Sequence, residues 1–565
     1  MLLLLALWGP AAAAAAPDGD CQVLHELDAE AAQTFQFEGE LGHWEALIPR
    51  QDYRLRRIDV VRQNVFERED MWLHRAANRY HVMTRERAIL AALPVRPGER
   101  VDVRRLREAE RILRAKAYLY DARVVPARVC DGDQLDVYVV TRDVWTLEPR
   151  ISLDRAGGEN EIGLGITDVN LLGLGKALTV SYEKDADRRG ALLWYGDPNI
   201  GGSRWAMDLT LIDNDDGERA ALSLRRPFYE LDARYGMFFD VDHFDRDEGL
   251  YNLSRKFWEY QAESRVHRVA GGWSPGLEGR FVHRWLLGMG YEDHRFELPA
   301  AFTAAFPDAP PADRRFGYPF LAYQRIEDDF DTRMNLDRVQ RTEDIALGQR
   351  IYAEFGYSSS ATGGRGRHLI GRFRFADAAW LTPRQLLAFG AAVSGYYDLD
   401  DDRAENLEAD AQVAYRYRHA GSWSLLVRGS ITAARGQTFD RQLRVGGEEG
   451  LRGFPTRYQN GNRRFLVTIE ERYYSNVYPL RMFRLGGAVF LDVGRAWYDG
   501  EVPAWLPDDR DAGYYGVLSN VGVGLRLEST RTRGDRILHL DLGFPLRNGP
   551  DVRSVEVTLT AKQTL

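Results

Sequence analysis

A single arginine lies in a glycine-rich segment within sequence that is otherwise patterned for β-sheet. The segment GGEEGLRGFPTRYQNGN, residues 446–462, places Arg452 between Leu451 and the pair Gly453 and Phe454. Glycine permits positive φ angles and close backbone approach, so a loop of this composition can fold back into a confined space. A guanidinium buried there needs a carboxylate partner, because an unpaired buried charge is costly. These residues therefore predict an ion pair that holds a loop.

The alternation of the strands beside the loop indicates which carboxylates can meet this arginine. Successive side chains of a strand point to opposite faces, and the alternation in FLDVG and IEERYY places Asp492 and Glu470 on inward faces. Arg472, two residues after Glu470, shares that face. We predict that Arg452 pairs with Asp492, that Glu470 and Arg472 complete a charge cluster, and that Phe454 wedges the loop.

Strands of this kind fill the chain from residue 146 to Leu565. Segments of roughly ten residues alternate apolar with polar or small side chains, and turns rich in Gly, Asp and Asn separate them. A soluble sandwich alternates in the same way, but no helices or second sheet layer would cover so much apolar surface here. A closed barrel resolves this, because its apolar face meets lipid and its polar face lines a lumen. We predict an all-β transmembrane barrel at 146–565.

Aromatic residues near the predicted strand ends agree with a membrane location. They are Tyr473, Tyr474, Trp497 and Tyr498. Barrels carry girdles of such side chains where the wall meets the two membrane interfaces. The alternation alone sets no strand number.

Residues 53–145 are patterned as a small α+β domain. YRLRRIDVVRQNVF alternates as a strand, TRERAILAAL and VDVRRLREAERILRAKAYL have helical spacing, and YDARVVPARV and DQLDVYVVTRD form two strands across the turn CDGD. Thr84 and Asp102 are the predicted helix N-caps. The order β-α-α-β-β resembles that of a POTRA domain, a periplasmic module that binds polypeptide by adding it to a sheet edge. A generic α+β domain would give the same pattern.

The first residues are typical of a secretory signal. Residues 1–16 contain an apolar stretch and then small residues that offer a cleavage site near Ala16, and a buried N-terminal helix is the alternative. Residues 17–52 would then form a periplasmic arm. Cys21 and Cys130 are the two cysteines. In an oxidising compartment they can form one disulfide, with two free thiols as the alternative.

Other features argue against an enzyme, a metal site or a nucleic-acid surface. The net charge of −9 and the absence of a basic block disfavour nucleic acid. The pattern GWSPG at 272–276 contains Ser274, but in a connection between strands rather than at a strand-to-helix elbow. DNDDG at 213–217 and DLDDD at 398–402 lack the calcium-loop spacing, and the 11 histidines show no metal-ligand spacing. We expect no catalytic residue, cofactor or metal ion.

Several motifs together resemble one family. LRGF at 451–454 is similar to the loop motif of the bacterial surface antigen superfamily, which contains the BamA-like and TamA-like outer-membrane assembly factors and the two-partner-secretion transporters. FLDVG at 490–494 resembles the F-x-D-x-G strand of that family. IEERYY, GVGLRL, LDLGFPL and the stretch DVNLLGLGKAL at 168–178 are similar to its other strand motifs.

The resemblance implies a fold and a role. The fold would be a barrel of about sixteen antiparallel strands, preceded by POTRA domains, with a long extracellular loop in the lumen where Arg452 meets Asp492. The protein would lie in the bacterial outer membrane, surrounded by its lipid, with the N-terminal domain in the periplasm. Its substrates would be unfolded or secreted polypeptides, with periplasmic chaperones as candidate partners and no nucleic acid.

The expected mechanism uses the loop as a latch. Polypeptide would be captured at the POTRA sheet edge and passed to the seam between the first and last strands or into the lumen, for membrane insertion or for secretion. The alternative function is a passive outer-membrane pore with a periplasmic binding domain.

Overall fold

The computed structural model shows a small α+β domain followed by a closed β-barrel. It describes residues 21–26, 48, 52–66, 69–185, 187–306, 313–334, 336, 338, 341–419, 421–500, 502–506, 516–532 and 537–562. The predicted signal at 1–16 and most of the predicted arm at 17–52 lie outside the described residues.

The N-terminal domain contains a five-stranded sheet and three helices. Its strands are β1 (Cys21–Val23), β2 (Tyr53–Gln63), β3 (Arg100–Val101), β4 (Leu119–Cys130) and β5 (Gln134–Asp143), and its helices are α1 (Trp72–Tyr80), α2 (Glu86–Ala92) and α3 (Val103–Arg114). The strand order is β1-β4-β5-β2-β3, with β2 parallel to β5. A core that includes Leu55, Leu106, Leu113 and Val139 joins the helices to the sheet.

Local signals explain most of this domain. The three-residue turn between β4 and β5 has positive φ at Asp131 and Gly132, a conformation that Asp and Gly adopt more readily than other residues. The Asp102 carboxylate accepts a hydrogen bond from the Arg105 backbone N–H at 2.8 Å and caps α3. The predicted cap at Thr84 is wrong: α2 begins at Glu86, and the backbone N–H of Thr84 donates instead to the carboxylate of Asp143 at 2.7 Å.

Sequence reasoning also missed α1. The residue before this helix, Met71, makes no side-chain cap, and the first turn carries no acidic residue. Neither of the usual start signals is therefore present.

Twenty antiparallel strands close the barrel within the described part of the chain, each bonded to its neighbours in sequence order. They are β6 (Leu147–Ala156), β7 (Glu159–Asp168), β8 (Ala177–Lys184), β9 (Arg189–Asp197), β10 (Ala206–Asn214), β11 (Gly217–Arg226), β12 (Tyr235–Asn252), β13 (Arg255–Trp273), β15 (Phe281–Glu297), β16 (Arg314–Glu327), β19 (Arg350–Ser358), β20 (His368–Thr382), β21 (Gln385–Asp398), β22 (Arg403–Arg418), β23 (Trp423–Arg435), β26 (Arg463–Tyr474), β27 (Phe483–Trp497), β28 (Leu518–Ser529), β29 (Ile537–Pro545) and β30 (Glu556–Lys562).

Shorter elements lie in the connections. They are β14 (Leu277–Glu278), the hairpin β17 (Phe330–Met334) and β18 (Thr342–Ala346), the hairpin β24 (Leu443–Val445) and β25 (Gln459–Gly461), and the helix α4 (Ala300–Ala305). We call the end of the barrel beside the N-terminal domain the domain end and the opposite end the far end.

The expected number of about sixteen strands is wrong. That number came from the resemblance, which the motifs support mainly in the C-terminal part of the chain. In the structure the N-terminal segments are not linkers: β6 pairs with β7 from Leu147 to Ala156, and β10 pairs with β11 from Ala206 to Asn214. The alternation of apolar and polar residues shows which side chains lie on each face of a strand. It does not determine the number of strands in the closed barrel.

The outer face of the barrel is apolar and the inner face is polar. Val489, Val523 and Leu540 are 51%, 47% and 40% exposed, whereas the alternate residues Phe490 and Asp541 are buried. Among the described residues, no helix is long and apolar enough to cross a membrane.

Aromatic pairs lie on the outer wall near the domain end. The rings of Trp285 and Tyr323 are 4.5 Å apart, and those of Trp423 and Tyr473 are 4.9 Å apart. Tyr474, which was predicted for the same girdle, points inward, and its hydroxyl donates to the Leu336 carbonyl at 3.3 Å. Adjacent strand residues face opposite ways, so only one of these two tyrosines can face outward.

The N-terminal domain covers the domain end of the barrel. Barrel turns spaced around the mouth each bond to it. The bonds are Asn170 Nδ2 to Thr84 Oγ1 at 2.8 Å, Arg204 to the Ala91 and Leu93 carbonyls at 3.0 and 2.6 Å, Leu231 N to Glu108 Oε1 at 2.8 Å, Arg531 Nη1 to the Val65 carbonyl at 2.8 Å, and Arg114 to both Asp344 oxygens at 2.8 and 2.6 Å.

Candidate functional site: a charge cluster inside the barrel

The connection between β23 and β26 folds into the lumen from the far end. Its two sides pair as the hairpin β24–β25, and the segment between them descends toward β27 and β28. Phe454 is 1% exposed and packs with Leu451, Tyr458 and Leu518 in an apolar cluster. Burial of this apolar surface stabilises the loop inside the lumen.

Arg452 is buried at the tip of this loop and meets three carboxylates. Its Nε and Nη2 donate to the two oxygens of Asp492, both at 2.9 Å, and its Nη1 donates to Glu470 Oε2 at 2.8 Å. Asp541 Oδ2 lies 3.4 Å from the same Nη1. The guanidinium carbon also lies 3.3 Å from the centre of the Phe490 ring, which adds a cation–π contact.

Two further arginines balance the three carboxylates. Arg472 Nε donates to Glu470 Oε1 at 3.0 Å, and Arg526 donates to Asp541 and, at 3.4 Å, to Glu470. Asn520 and Thr468 donate to Asp492 at 2.9 and 3.0 Å. The cluster is therefore neutral in formal charge, and each of its six carboxylate oxygens accepts a hydrogen bond from an arginine, as buried carboxylates require.

Glycines on β28 and β29 make room for the cluster. A Cβ at Gly522 would lie 2.2 Å from the Phe490 ring, one at Gly524 would lie 1.9 Å from Asp541, and one at Gly543 would lie 2.7 Å from the Arg452 carbonyl oxygen. The glycines of the motifs GVGLRL and LDLGFPL thus allow the close approach of the ion pair and of the loop backbone.

The structure brings the predicted residues Arg452, Asp492, Glu470 and Arg472 into one network. Gly453 lies against Asn520, where a Cβ would be 2.6 Å from the asparagine Cβ. Our sequence reasoning did not assign Asp541 or Arg526 to the cluster. The signal was present, because the alternation of β28 and β29 places both on the lumenal face, but it does not show which lumenal residues lie at the same height.

Outside the lumen the same loop is held by a second ion pair. Arg457 Nη1 donates to Asp187 Oδ1 at 2.9 Å, and the guanidinium lies 4.2 Å from the centre of the Tyr251 ring. Burial would raise the pKa of Asp187, but hydrogen bonds from Arg457 and Tyr251 outweigh it and lower this pKa to about 2. The carboxylate therefore stays charged at any ordinary pH.

The loop also contacts the first hairpin of the barrel at the seam. The Thr456 backbone N–H donates to the Gly157 carbonyl at 3.2 Å, and a Cβ at Gly447 would lie 2.6 Å from Gly157. Within the described residues, β6 pairs with the last strand β30 only at Arg155 opposite Leu559. Among the described residues this pairing has fewer registered residues than any other pair of neighbouring strands among the twenty, and the loop lies beside it.

A chamber of 1030 Å³ lies on the other side of the lumen, against β19–β23. Six arginines and three aspartates line it, and the arginines are Arg225, Arg268, Arg350, Arg374, Arg416 and Arg428. This excess of positive charge contrasts with the net charge of −9 of the whole chain.

The outer edge of β4, which would be the polypeptide-binding edge of a POTRA domain, is closed at its end by β1. The register places Cys21 opposite Cys130, and the two residues form a disulfide. The backbone N–H groups of Leu24 and His25 donate to the Ala127 carbonyl at 2.9 and 3.1 Å.

Side chains satisfy much of the remaining edge of β4. Glu110 accepts from the Val124 backbone N–H at 2.8 Å, and Arg114 and Arg341 donate to the Ala122 and Leu119 carbonyls at 3.1 and 3.2 Å. Pro126 has no N–H to offer. A polypeptide adding to β4 would therefore have to displace bonds that already exist.

The serine of the G-x-S-x-G pattern belongs to a turn. Ser274 is fully buried after β13, its Oγ accepts from the Gly276 backbone N–H at 3.0 Å, and the short strand β14 follows. No strand-to-helix elbow is present at this position.

Comparisons with known proteins give structural likeness only. No protein-family model and no curated protein matches the sequence. Solved structures that resemble the fold include BamA from Haemophilus ducreyi lacking POTRA domains 1–3 (TM-score 0.39, covering 90% of this chain and 84% of that one), CdiB from Acinetobacter baumannii (0.40, 90% and 73%) and CdiB from Escherichia coli (0.47, 91% and 76%). Each shares 13% sequence identity with this chain.

Proposed function

We propose that this chain is a member of the bacterial surface antigen superfamily that lies in the outer membrane and inserts or translocates unfolded polypeptide. The observation that carries the proposal is the lumenal loop, which a buried ion pair holds against the first hairpin, beside the strand pairing with the fewest registered residues in the described part of the barrel. A wall that only had to conduct solutes would need neither the pinned loop nor a weak seam.

The loop acts as a conformational latch in this proposal. While Arg452 is bonded to Asp492, the contact between Thr456 and Gly157 holds β6 in place. Release of Arg452 frees that hairpin, and the seam between β6 and β30 opens as a lateral exit or widens the lumen. Removing one member of a buried pair costs about 3–5 kcal/mol, so release needs a trigger such as substrate binding.

In this proposal the polypeptide substrate reaches the barrel by way of the N-terminal domain. We assign it as a POTRA-like domain in the periplasm, because a mixed sheet with β2 parallel to β5 lies under helices at the barrel mouth. Since β4 is occupied, substrate pairing at this edge requires displacement of β1 or of the bonded side chains. Delivery of the substrate by periplasmic chaperones stays a prediction.

The experiment tests whether the seam between β6 and β30 must open. The seam is cross-linked by an engineered disulfide in protein reconstituted into liposomes. Arg155→Cys/Leu559→Cys lies on the one registered pair of the seam. Val521→Cys/Phe544→Cys lies on a pair of β28 and β29 and serves as the matched control. Urea-unfolded barrel substrate is added, and its insertion is followed by its heat-modifiable migration on gels. A secreted substrate is followed by protease protection inside the vesicles.

Wild-type protein should accelerate insertion or uptake over empty liposomes, and oxidation of the seam pair should abolish this while oxidation of the control pair does not. If uptake continues while the seam is cross-linked, the substrate passes through the lumen instead. No acceleration by the unlocked protein contradicts the proposed function.

A passive pore is the second candidate, and the arginine-lined chamber favours it. A pore would show a steady open conductance in planar bilayers in the absence of substrate. It would also leave polypeptide insertion at the level of empty liposomes.

A further inference from the structure

Three possible metal ligands lie together at the far end of the barrel, away from the lumenal cluster. His368 begins β20, Asp398 ends β21 and Glu405 lies near the start of β22. His368 Nε2 is 3.8 Å from Asp398 Oδ2 and 3.7 Å from Glu405 Oε2. One donor atom from each residue lies within 4.8 Å of the other two.

The histidine is buried and aimed at the two carboxylates. Its side chain is 9% exposed, and the edge of the Phe316 ring, with centroids 5.0 Å apart, fixes its position. Among the described residues neither ring nitrogen makes a hydrogen bond, and the buried Nδ1 has no partner. The nitrogen that faces the two carboxylates is Nε2, and it lies beyond hydrogen-bond distance from both of them, so it is available as a ligand.

In each carboxylate one oxygen accepts hydrogen bonds from nearby residues, and the other oxygen faces the imidazole ring of His368. Asp398 Oδ1 accepts the backbone N–H groups of Asp400 and Asp401 at 2.9 and 3.3 Å, which leaves Oδ2 facing His368. Glu405 Oε1 accepts from Arg403 at 3.0 Å, which leaves Oε2 facing the same nitrogen. The Arg403 side chain is 59% exposed, and its Nε lies 3.9 Å from Asp398 Oδ2.

The two distances do not fit a direct ion pair. A protonated histidine bonded to a carboxylate brings nitrogen and oxygen to about 2.7–3.2 Å, whereas both distances here are longer and nearly equal. Tetrahedral coordination with bonds of about 2.0–2.1 Å separates two ligand atoms by about 3.3–3.4 Å. The two nitrogen–oxygen separations here are only about 0.4 Å longer than that, and the two carboxylate oxygens lie within 4.8 Å of each other.

We propose that His368, Asp398 and Glu405 bind a Zn²⁺ ion. One imidazole nitrogen and two carboxylate oxygens are ligands that Zn²⁺ accepts, and they leave a fourth position for water. The ion ties the far ends of β20, β21 and β22 together over the arginine-lined chamber. Sequence reasoning expected no metal ion, because the three ligands are far apart in the chain and antiparallel pairing alone makes them neighbours.

The test uses full-length protein in detergent, purified without a histidine tag and stripped of metal with a chelator. Isothermal titration with ZnCl₂ is compared between wild type, His368→Ala and Asp398→Asn. Asparagine keeps the oxygen that accepts the two backbone N–H groups, so Asp398→Asn preserves the turn if His368→Ala perturbs folding. Heat-modifiable migration on gels checks that each barrel is folded.

A second histidine pair is the matched control. His243 Nε2 and His267 Nε2 lie 2.5 Å apart on the outer side of β12 and β13. The double variant His243→Ala/His267→Ala should keep the binding step that both His368→Ala and Asp398→Asn lose.

Cobalt gives an independent signature. Co²⁺ should show the visible absorption of a tetrahedral site in wild type and lose it in Asp398→Asn. Binding that survives both His368→Ala and Asp398→Asn, or that disappears in the His243 and His267 variant instead, would overturn the proposal.

Discussion

Replacing Arg452 with methionine is the most direct test of the latch, because it removes the charge and keeps the length of the side chain. The change deletes the hydrogen bonds at 2.9, 2.9 and 2.8 Å to Asp492 and Glu470 and the longer contact at 3.4 Å to Asp541. Removing one partner of a buried ion pair costs about 3–5 kcal/mol. Asp492 keeps Asn520 and Thr468, so we expect the lower end, about 3 kcal/mol.

A loss of about 3 kcal/mol raises the undocked population of the loop roughly a hundredfold. Hydrogen exchange reports this directly at Leu451 and Phe454, whose backbone N–H groups donate to the Gly446 and Leu451 carbonyls at 2.8 and 2.9 Å. Both amides should exchange about a hundred times faster in Arg452→Met, while the barrel keeps its heat-modifiable migration. Arg441→Ala, in the same loop with a side chain 62% exposed, should change exchange by less than about threefold.

A double-mutant cycle with Asp492→Asn separates the pair from its surroundings. The double variant should cost less than the sum of the single variants by at least about 1.5 kcal/mol. A charge swap is a poorer test, because aspartate at position 452 would face Glu470 and Asp541. Additive single effects, or exchange that rises less than about threefold in Arg452→Met, would refute the idea that this pair holds the loop.

Three further predictions concern other contacts. The pKa of Asp187 is lowered in the folded protein to about 2 from an ordinary 3.8. The stabilisation from its ion pair with Arg457, at most about 2 kcal/mol, is therefore fully present above pH 3.8 and is lost as pH falls toward 2. Pepsin cleavage within 436–462 should rise over this interval in wild type, and Asp187→Asn should show no such pH dependence. Arg350→Glu/Arg374→Glu should shift the reversal potential in a KCl gradient from anion toward cation selectivity, and an unchanged potential would exclude the chamber from the ion path. Cys21→Ser should release β1 and speed hydrogen exchange at Val129, which lies opposite Gln22, because the disulfide closes a loop of 109 residues and such bonds stabilise by about 2–5 kcal/mol. Unchanged exchange would mean that β1 holds without the bond.

The sequence predicts which side chains of a strand face the lumen. It does not predict how far along the barrel axis each of these side chains lies. Alternation alone places Asp492, Arg526 and Asp541 on the lumenal face, since each lies between outward apolar residues, and it places Glu470 there because Ile469 faces outward. Whether two inward residues meet depends on the register between strands, which turn lengths and bulges set. For this reason Asp541, 89 residues after Arg452, was missed although its face was known.

The N-terminal domain shows the same division between local and tertiary information. Asp102 caps α3 with its own side chain, and the CDGD turn has its positive φ residues in place, so both were predictable. Thr84 has the chemistry of a cap, but the fold uses it for bonds to Asp143 and Asn170 instead. Tertiary contacts with the barrel decided that outcome, and no local pattern contains them.

The twenty-strand wall limits what the loop can close. Barrel diameter grows roughly in proportion to strand number, so twenty strands enclose about 1.6 times the cross-section of sixteen. Arg452 reaches only the part of the wall formed by β26–β29, and the 1030 Å³ chamber lies open beside β19–β23. The loop thus fastens one sector of the wall without filling the bore. The other part of the chain that lies across the bore is the N-terminal domain, which bonds to the turns around the mouth.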